Sequence, residues 1–294
     1  MRVTITGGAG RIARYTALRL ASEGHQVTLF DRVPLADLAD DDPRRTMPFV
    51  IGDVTDPDAC RQACAEAEGI VHLGGILVPT PDTFRVNTVG TWNVLEAARA
   101  VGAARVVLAS SINATGIGWH ITNRPVEQVA YLPLDEDHPT HPEDSYSLSK
   151  YVNELTAAAF SHAYGFKTAA MRYAGVFTPE RLAEHRQNPP EPGFSRVYQP
   201  GRYRGIWAYV DVRDVAQANC QALLAPDLPL TGAYFIAADD TQSTLETREL
   251  LERFLPEWLP KVRTLTGRQS LFSMAKARRA FGFRPEYSWT RAEA

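Results

Sequence analysis

The sequence predicts an α/β protein with a doubly wound parallel sheet and a smaller C-terminal lobe, and three observations carry that prediction. Short apolar runs alternate with helix-period segments over roughly the first 170 residues. The runs are apolar along their whole length rather than at every second position, as strands covered on both faces require. A glycine-rich turn, Thr6-Gly7-Gly8-Ala9-Gly10-Arg11-Ile12-Ala13, separates the first run from the first helical segment.

Taken in order, residues 3–5, 26–30, 48–51, 69–73, 104–109 and 168–172 read as strands, and segments near 11–23, 56–66, 82–101 and 144–164 read as helices. In such a sheet, ligands sit beyond the carboxyl ends of the strands. After Arg172 the rhythm breaks into a Pro/Arg-rich stretch, 178–204, and returns at Tyr209-Val210-Asp211-Val212-Arg213-Asp214. An apolar run at 233–237 and helical stretches near 244–254 and 271–281 complete the chain. The expected division is a core of 1–176 and 209–237, with 177–208 and 238–294 forming a discontinuous smaller lobe. The insertion 118–142 is too long for an ordinary connection and is expected to form part of a lid, with His138 and His141 solvated in its Pro-rich end.

With 294 residues, 45% of them hydrophobic, the chain can bury a sizeable core. Its 31 basic and 34 acidic residues leave a net charge of −3, which gives no electrostatic footing for nucleic acid or an anionic membrane and favours a small-molecule partner. No apolar run approaches the roughly 20 residues of a membrane span. The first strand begins at Arg2, leaving no room for a leader, so the expected address is the cytoplasm. Cys60, Cys64 and Cys220 are an odd number without a secretory signal, so no disulfide framework is expected. Cys60 and Cys64 would share a helix face but lack further ligands at useful spacing, so packing is expected rather than a metal site.

The glycine turn has the form that holds a dinucleotide. Gly7 permits the tight turn and Gly10 lets the backbone approach a pyrophosphate at the helix N-terminus, where Arg11 and Ile12 open the helix and Ala13 allows close packing. Asp31 closes the second strand about twenty residues on, where a carboxylate can accept from adenosine ribose hydroxyls; this favours NAD. Arg32 follows at once and could meet a 2′-phosphate, which keeps NADP open, and Asp31 could also be a solvated turn residue. Asp53 and Val54 could flank adenine, and Leu73, Gly74 and Gly75 offer bare backbone beside the cofactor, although ordinary turns would use the same residues. Tyr146 and Lys150 stand four residues apart, which places them on one helix face. A phenol of pKa about 10 is a poor base at neutral pH, but a nearby ammonium favours its ionised form. Together with the glycine turn, this pair points to hydride transfer.

The ordered set TGGAGRIA, HLGG, VNTVGTWNVLEAAR, ASSINATG, YSLSK, RYAGVF and YVDVRD resembles the extended short-chain dehydrogenase/reductase family, which includes nucleotide-sugar epimerases, dehydratases and uronate dehydrogenases. The resemblance covers residues 1 to about 220, while the last seventy or so match loosely. It implies a Rossmann fold in which Tyr146 is the acid/base, Lys150 lowers its pKa and holds the nicotinamide ribose, and Ser111 hydrogen-bonds the reacting oxygen. Asn87 would support the site, or else cap its helix. Tyr173 and Val176 would join the cofactor contacts, and Ile112, Asn113, Gly175 and Trp207 the substrate site. A homodimer through the helices after residues 82 and 144 is also implied.

The departures from the family pattern concern the substrate. Where nucleotide-sugar enzymes commonly read Arg-Tyr-Phe-Asn-Val, this chain reads Arg172-Tyr173-Ala174-Gly175-Val176, and Trp207 stands where UDP-sugar epimerases often place an arginine on the diphosphate. Arg196, Arg202 and Arg204 could compensate. HLGG, and Asn113 two positions after the serine pair, resemble uronate dehydrogenases. Arg172 or a loop arginine could bind a carboxylate, and Trp207 beside Tyr209 would suit a sugar face or simple lobe packing. The expected function is an NAD(P)-dependent oxidoreductase for a secondary alcohol or ketone of a sugar, uronate or similar small molecule not linked to a nucleotide. The alternatives are a nucleotide-sugar epimerase or dehydratase with tightly bound NAD, and a non-catalytic NAD(P)-binding regulatory protein. An intact Ser111, Tyr146 and Lys150 set argues against the last.

Overall fold

The apolar runs become the strands of one sheet, and residues of opposite parity along them feed two separate cores. The computed structural model describes residues 1–117, 129–192 and 206–291. Its main elements begin with β1 (Arg2–Thr6), α1 (Arg11–Ser22), β2 (Gln26–Asp31), β3 (Phe49–Ile51), α2 (Pro57–Cys64), β4 (Gly69–His72), α3 (Thr83–Val101) and β5 (Arg105–Ser111). They continue with α4 (Ser145–Tyr164), β6 (Lys167–Tyr173), β7 (Gly175–Phe177), α5 (Pro179–Gln187), β8 (Tyr209–Asp211), α6 (Val212–Leu224), β9 (Thr231–Ile236), α7 (Thr247–Phe254) and α8 (Ala275–Phe281). Helices α5 and α6 fall where the sequence reading named none. Their starts are nevertheless written locally: Thr178 caps α5 ahead of Pro179, and the Asp211 carboxylate accepts from Arg213 N.

Seven strands form one sheet in the order β3-β2-β1-β4-β5-β6-β9, every pairing parallel, while β7 and β8 pair separately. Val3, Ile5, Val71, Val107 and Met171 pack with Ala13, Ala17 and Leu20 of α1 and Val215 and Ala218 of α6. Phe30, Ile70, Val106, Leu108 and Ala170 pack on the other face with Cys60, Val94, Leu95, Ala157 and Phe160 from α2, α3 and α4. Burial pushes the Cys60 and Cys64 thiols up to about 12, so both behave as packing groups.

The chain winds outward from β1 through β2 to β3, then returns to build β4, β5, β6 and β9 on the other side. The crevice between the carboxyl ends of β1 and β4 is therefore the switch point where a ligand is received. The end of the 118–142 insertion departs from expectation. Leu132 and Leu134 are fully buried and bridge to Val262 and Phe272, and His138 is buried with Nε2 accepting from Ala130 N at 2.9 Å. These residues fasten the insertion to the C-terminal segments because their apolar side chains have a core to enter. Residues 118–128 and 193–205, the latter holding Arg196, Arg202 and Arg204, lie outside the described residues.

Candidate active site

A cavity of about 600 Å³ opens along the carboxyl ends of the strands. At its nucleotide end the backbone does most of the shaping. Gly7 has φ 68°, and a Cβ there would come within 2.8 Å of Gly74 N, so the turns after β1 and β4 can approach only without side chains. Gly10, Arg11, Ile12, Asp31, Arg32, Asp53, Val54, Leu73, Gly74 and Gly75 all line this end. The Asp31 carboxylate accepts from Ala9 N and Val33 N, each at 3.0 Å, which fixes it at the rim beside the glycine turn. Asp53 is held similarly by Thr55, whose backbone N–H lowers its pKa.

Two braces behind these turns escaped sequence reading. Arg44, from the connection between β2 and β3, donates from Nη1 to Gly8 O and Gly10 O at 2.8 Å each, and is clamped to Asp42 through Nε at 2.9 Å and Nη2 at 2.7 Å. Both side chains are buried, and the Arg44 hydrogen bonds lower Asp42 to about 2. With the carbonyls of the turn engaged from behind, its geometry is fixed independently of any ligand. The second brace is Thr6, whose Oγ1 accepts from Leu73 N at 3.2 Å and Gly74 N at 3.1 Å and lies 2.6 Å from His72 Nδ1. Having accepted twice, the hydroxyl gives its proton to Nδ1, so His72 carries its own proton on Nε2 and donates to Thr91 at 3.1 Å. Burial lowers His72 to about 3, consistent with a neutral ring.

At the transfer end, Asp144 caps α4 by accepting from Tyr146 N at 2.8 Å and Ser147 N at 2.9 Å, which orients the turn carrying Tyr146 and Lys150. Ser111 closes β5 and hydrogen-bonds Tyr146. Lys150 Nζ donates to Ala109 O at 2.9 Å and lies 5.6 Å from the centre of the Tyr146 ring. The structure therefore brings Ser111, Tyr146 and Lys150 to one wall, together with Asn113, Tyr173, Gly175 and Val176. The electrostatics differ from the expected lowering of the phenol. Burial pushes Tyr146 up to about 12 against the Ser111 hydrogen bond, and burial lowers Lys150 to about 8. At neutral pH the site holds a neutral phenol beside an ammonium.

Four expectations need correction. Asn87 lies within α3, past the cap at Asp82, and does not line the cavity; its amide accepts from Ile76 N at 2.7 Å and donates to Ile76 O and Ser149 Oγ, tying the β4 loop to α4. Ile112 is fully buried in the turn after β5, off the cavity. Trp207 also leaves the cavity and packs against Phe254, ring centres 5.9 Å apart, because its indole finds an apolar neighbour in the C-terminal lobe. Arg172 is buried and committed to Glu154 through Nε at 2.9 Å and Nη2 at 2.8 Å, so it is not placed to take a substrate carboxylate. Asn113 differs from all of these: it is fully buried on the cavity wall, and neither Oδ1 nor Nδ2 has a hydrogen-bond partner among the described residues.

The residues fit a nicotinamide dinucleotide. The Gly7–Gly74 cradle leaves space that any Cβ would fill, the Asp31 carboxylate sits at the rim beside it, and the Asn113 amide, unpartnered among the described residues, and a proton-bearing phenol line the other end. A protein from Methanocaldococcus jannaschii described as a putative UDP-glucose 4-epimerase is 29% identical to this chain over 241 residues, covering 75% of this chain and 73% of that protein. The uronate dehydrogenase of Pseudomonas syringae is 27% identical over 242 residues, covering 82% and 76%. Among solved structures, the Thermus thermophilus UDP-glucose 4-epimerase in complex with NAD superposes with a TM-score of 0.66 at 26% identity, covering 97% of this chain and 94% of that one. The sequence profile of the NAD dependent epimerase/dehydratase family matches residues 3–237, and with the cradle and transfer wall described above it establishes that the chain belongs to this family and uses NAD.

Proposed function

We propose that the chain is an NAD-dependent dehydrogenase acting on a secondary alcohol of a free sugar, uronate or similar small molecule, with residues 1–176 and 209–237 holding the cofactor and 177–208 and 238–294 framing the substrate. The observation that carries this reading is the chemistry of the transfer end. Ser111, Tyr146 and Lys150 stand there beside Gly175 and the unpartnered Asn113 amide, a neutral donor and acceptor suited to a sugar hydroxyl. Among the described residues the arginines lining the cavity are Arg11, Arg32 and Arg181, and the first two belong to the nucleotide end. A diphosphate at the transfer end would lose water and find, beyond Lys150, no charged donor placed there among the described residues.

When bound, NAD supplies the hydride acceptor. The chain's own residues handle the proton. Ser111 orients the reacting oxygen toward Tyr146, and the Lys150 ammonium stabilises the phenolate that Tyr146 forms by releasing its own proton to solvent; the phenolate then takes the proton of the alcohol. Because Tyr146 is raised and Lys150 lowered, oxidation speeds up as pH rises and gains little more once Lys150 loses its charge near 8; ketone reduction, in which Tyr146 donates, runs the other way. The likeness to UDP-glucose 4-epimerases favours a second reading, in which the hydride returns to the substrate and NAD stays bound. A screen of free uronates and aldoses with NAD, paired with calorimetry using UDP and UDP-glucose, separates them. Stoichiometric NADH release with no UDP binding is expected. Micromolar UDP-glucose binding without net NADH would replace the dehydrogenase with an epimerase.

A further inference from the structure

Helix α5 emerges from the far half of the sheet, after β6 and β7, yet its first turn reaches back toward α1. Two electrostatic relations mark the approach: Glu180 raises Tyr15 and is lowered by Arg14, and Arg11 lowers Arg181, whose shift is led by burial. Arg181 is set in place by Phe177, with its guanidinium 4.1 Å from the ring centre, and both Arg181 and Arg11 line the main cavity. Arg11 follows Gly10 in the glycine turn, on β1's side of the crevice. The transfer wall rises from β5, two strands away, roughly 10 Å at the ordinary strand spacing.

Two guanidiniums that line one cavity repel one another unless an anion lies between them. Of the acids nearby, Glu180 is stabilised by Arg14 and Arg213, and Glu184 offsets Arg181 from the next turn of α5, but neither Glu180 nor Glu184 lines the cavity between the two arginines. We propose that Arg11 and Arg181 form a two-armed clamp for the diphosphate bridge of the dinucleotide, one arm from each half of the sheet. A diphosphate carries the charge to match both arms and accepts bidentate hydrogen bonds from a guanidinium. The glycine turn beneath Arg11 supplies the backbone donors on the same side. Through Arg181, α5 and the lobe it opens are fastened to the cofactor, so NAD binding and the framing of the substrate pocket are linked. The clamp rests on the cofactor and is indifferent to which alcohol is oxidised.

The test is calorimetry on the full chain with NAD and with ADP, for wild type, Arg181→Gln and Arg181→Lys, at low and moderate salt. Arg181→Gln is expected to weaken NAD and ADP alike by roughly tenfold, the effect of losing one charge-assisted contact. Arg181→Lys should recover part of the loss, and the salt dependence of binding should be shallower in the glutamine variant. Arg181 is exposed, so unchanged melting of the variants checks that the fold is intact. Unchanged affinity for both ligands overturns the clamp. So does a loss for NAD that ADP does not share, or a rise confined to the KM of a carboxylate substrate, either of which would place Arg181 at the transfer end.

Discussion

The two ends of the cavity are built by different means. At the nucleotide end the ligand-facing groups are backbone atoms and short side chains in turns after β1, β2, β3 and β4, and their partners are satisfied: Arg44 holds Gly8 and Gly10, Thr6 holds Leu73 and Gly74, and Asp31 accepts two backbone N–H groups. At the other end the lining groups are side chains with unsettled chemistry: a phenol pushed up, an ammonium pushed down, and a buried amide with neither atom paired among the described residues. The first end is already organised; the second holds unmet polar demand that a substrate can satisfy. Cofactor affinity should therefore depend on fold-stabilising residues, and turnover on residues the fold would do as well or better without.

The largest expected effect probes the organised end. Arg44→Met removes the guanidinium and leaves the Asp42 carboxylate buried, with Arg14 at 4.0 Å as its nearest remaining cation. Breaking a buried ion pair in this way costs about 3–5 kcal/mol, so a large fall in denaturant midpoint and weaker NAD binding are expected together. The pH dependence supplies a signature. Asp42 is lowered in the folded state, so its stabilisation is present above the ordinary carboxylate value of 3.8 and is lost as pH falls toward about 2. In Arg44→Met that acid sensitivity should shrink. A variant of unchanged stability would show that the turn holds itself.

The same contrast explains what could be read from sequence. Strand positions, the glycine turn, Asp31 and the Tyr146–Lys150 spacing are local patterns, and the fold places them as their periods require. Arg44 acts across the molecule, on carbonyls dozens of residues away along the chain, and nothing in the sequence around it announces that reach. Trp207 and Arg172 failed as site residues for the same reason: whether an indole or a guanidinium faces a ligand or the core is decided by Phe254 and Glu154, which their own segments do not contain. The start of α5 was legible in Thr178 and Pro179, but the Pro/Arg-rich composition around it masked the helix.

At the transfer end, Tyr146→Phe removes one oxygen from a ring whose hydroxyl is the proposed proton carrier. Turnover should fall by at least about 10²-fold, the usual contribution of a positioned acid or base, while NAD affinity and melting temperature change little. The residual activity should lose the rise with pH expected of oxidation. A Phe variant that keeps wild-type turnover would remove Tyr146 from the proton path and leave Ser111 or water as the carrier.

Asn113 gives the smallest and sharpest effect, because stability and activity should move in opposite directions. Its side chain is fully buried while Oδ1 and Nδ2 are unpartnered, and its backbone N–H is already used by Ser111 Oγ at 3.1 Å. Leaving a buried polar group unsatisfied costs about 1–3 kcal/mol, whereas an apolar group of the same shape carries no such cost. Asn113→Leu should therefore melt at the wild-type temperature or a few degrees above it. If the amide is reserved for a substrate hydroxyl, the same variant should lose roughly tenfold or more in kcat/KM, the worth of a lost hydrogen bond in a site built to make it. NAD affinity should be unaffected, since the cofactor's affinity is set at the other end. A variant that loses stability along with activity would mean that the amide serves the fold, and the division of labour between the two ends would fail at the residue where it is most exposed to test.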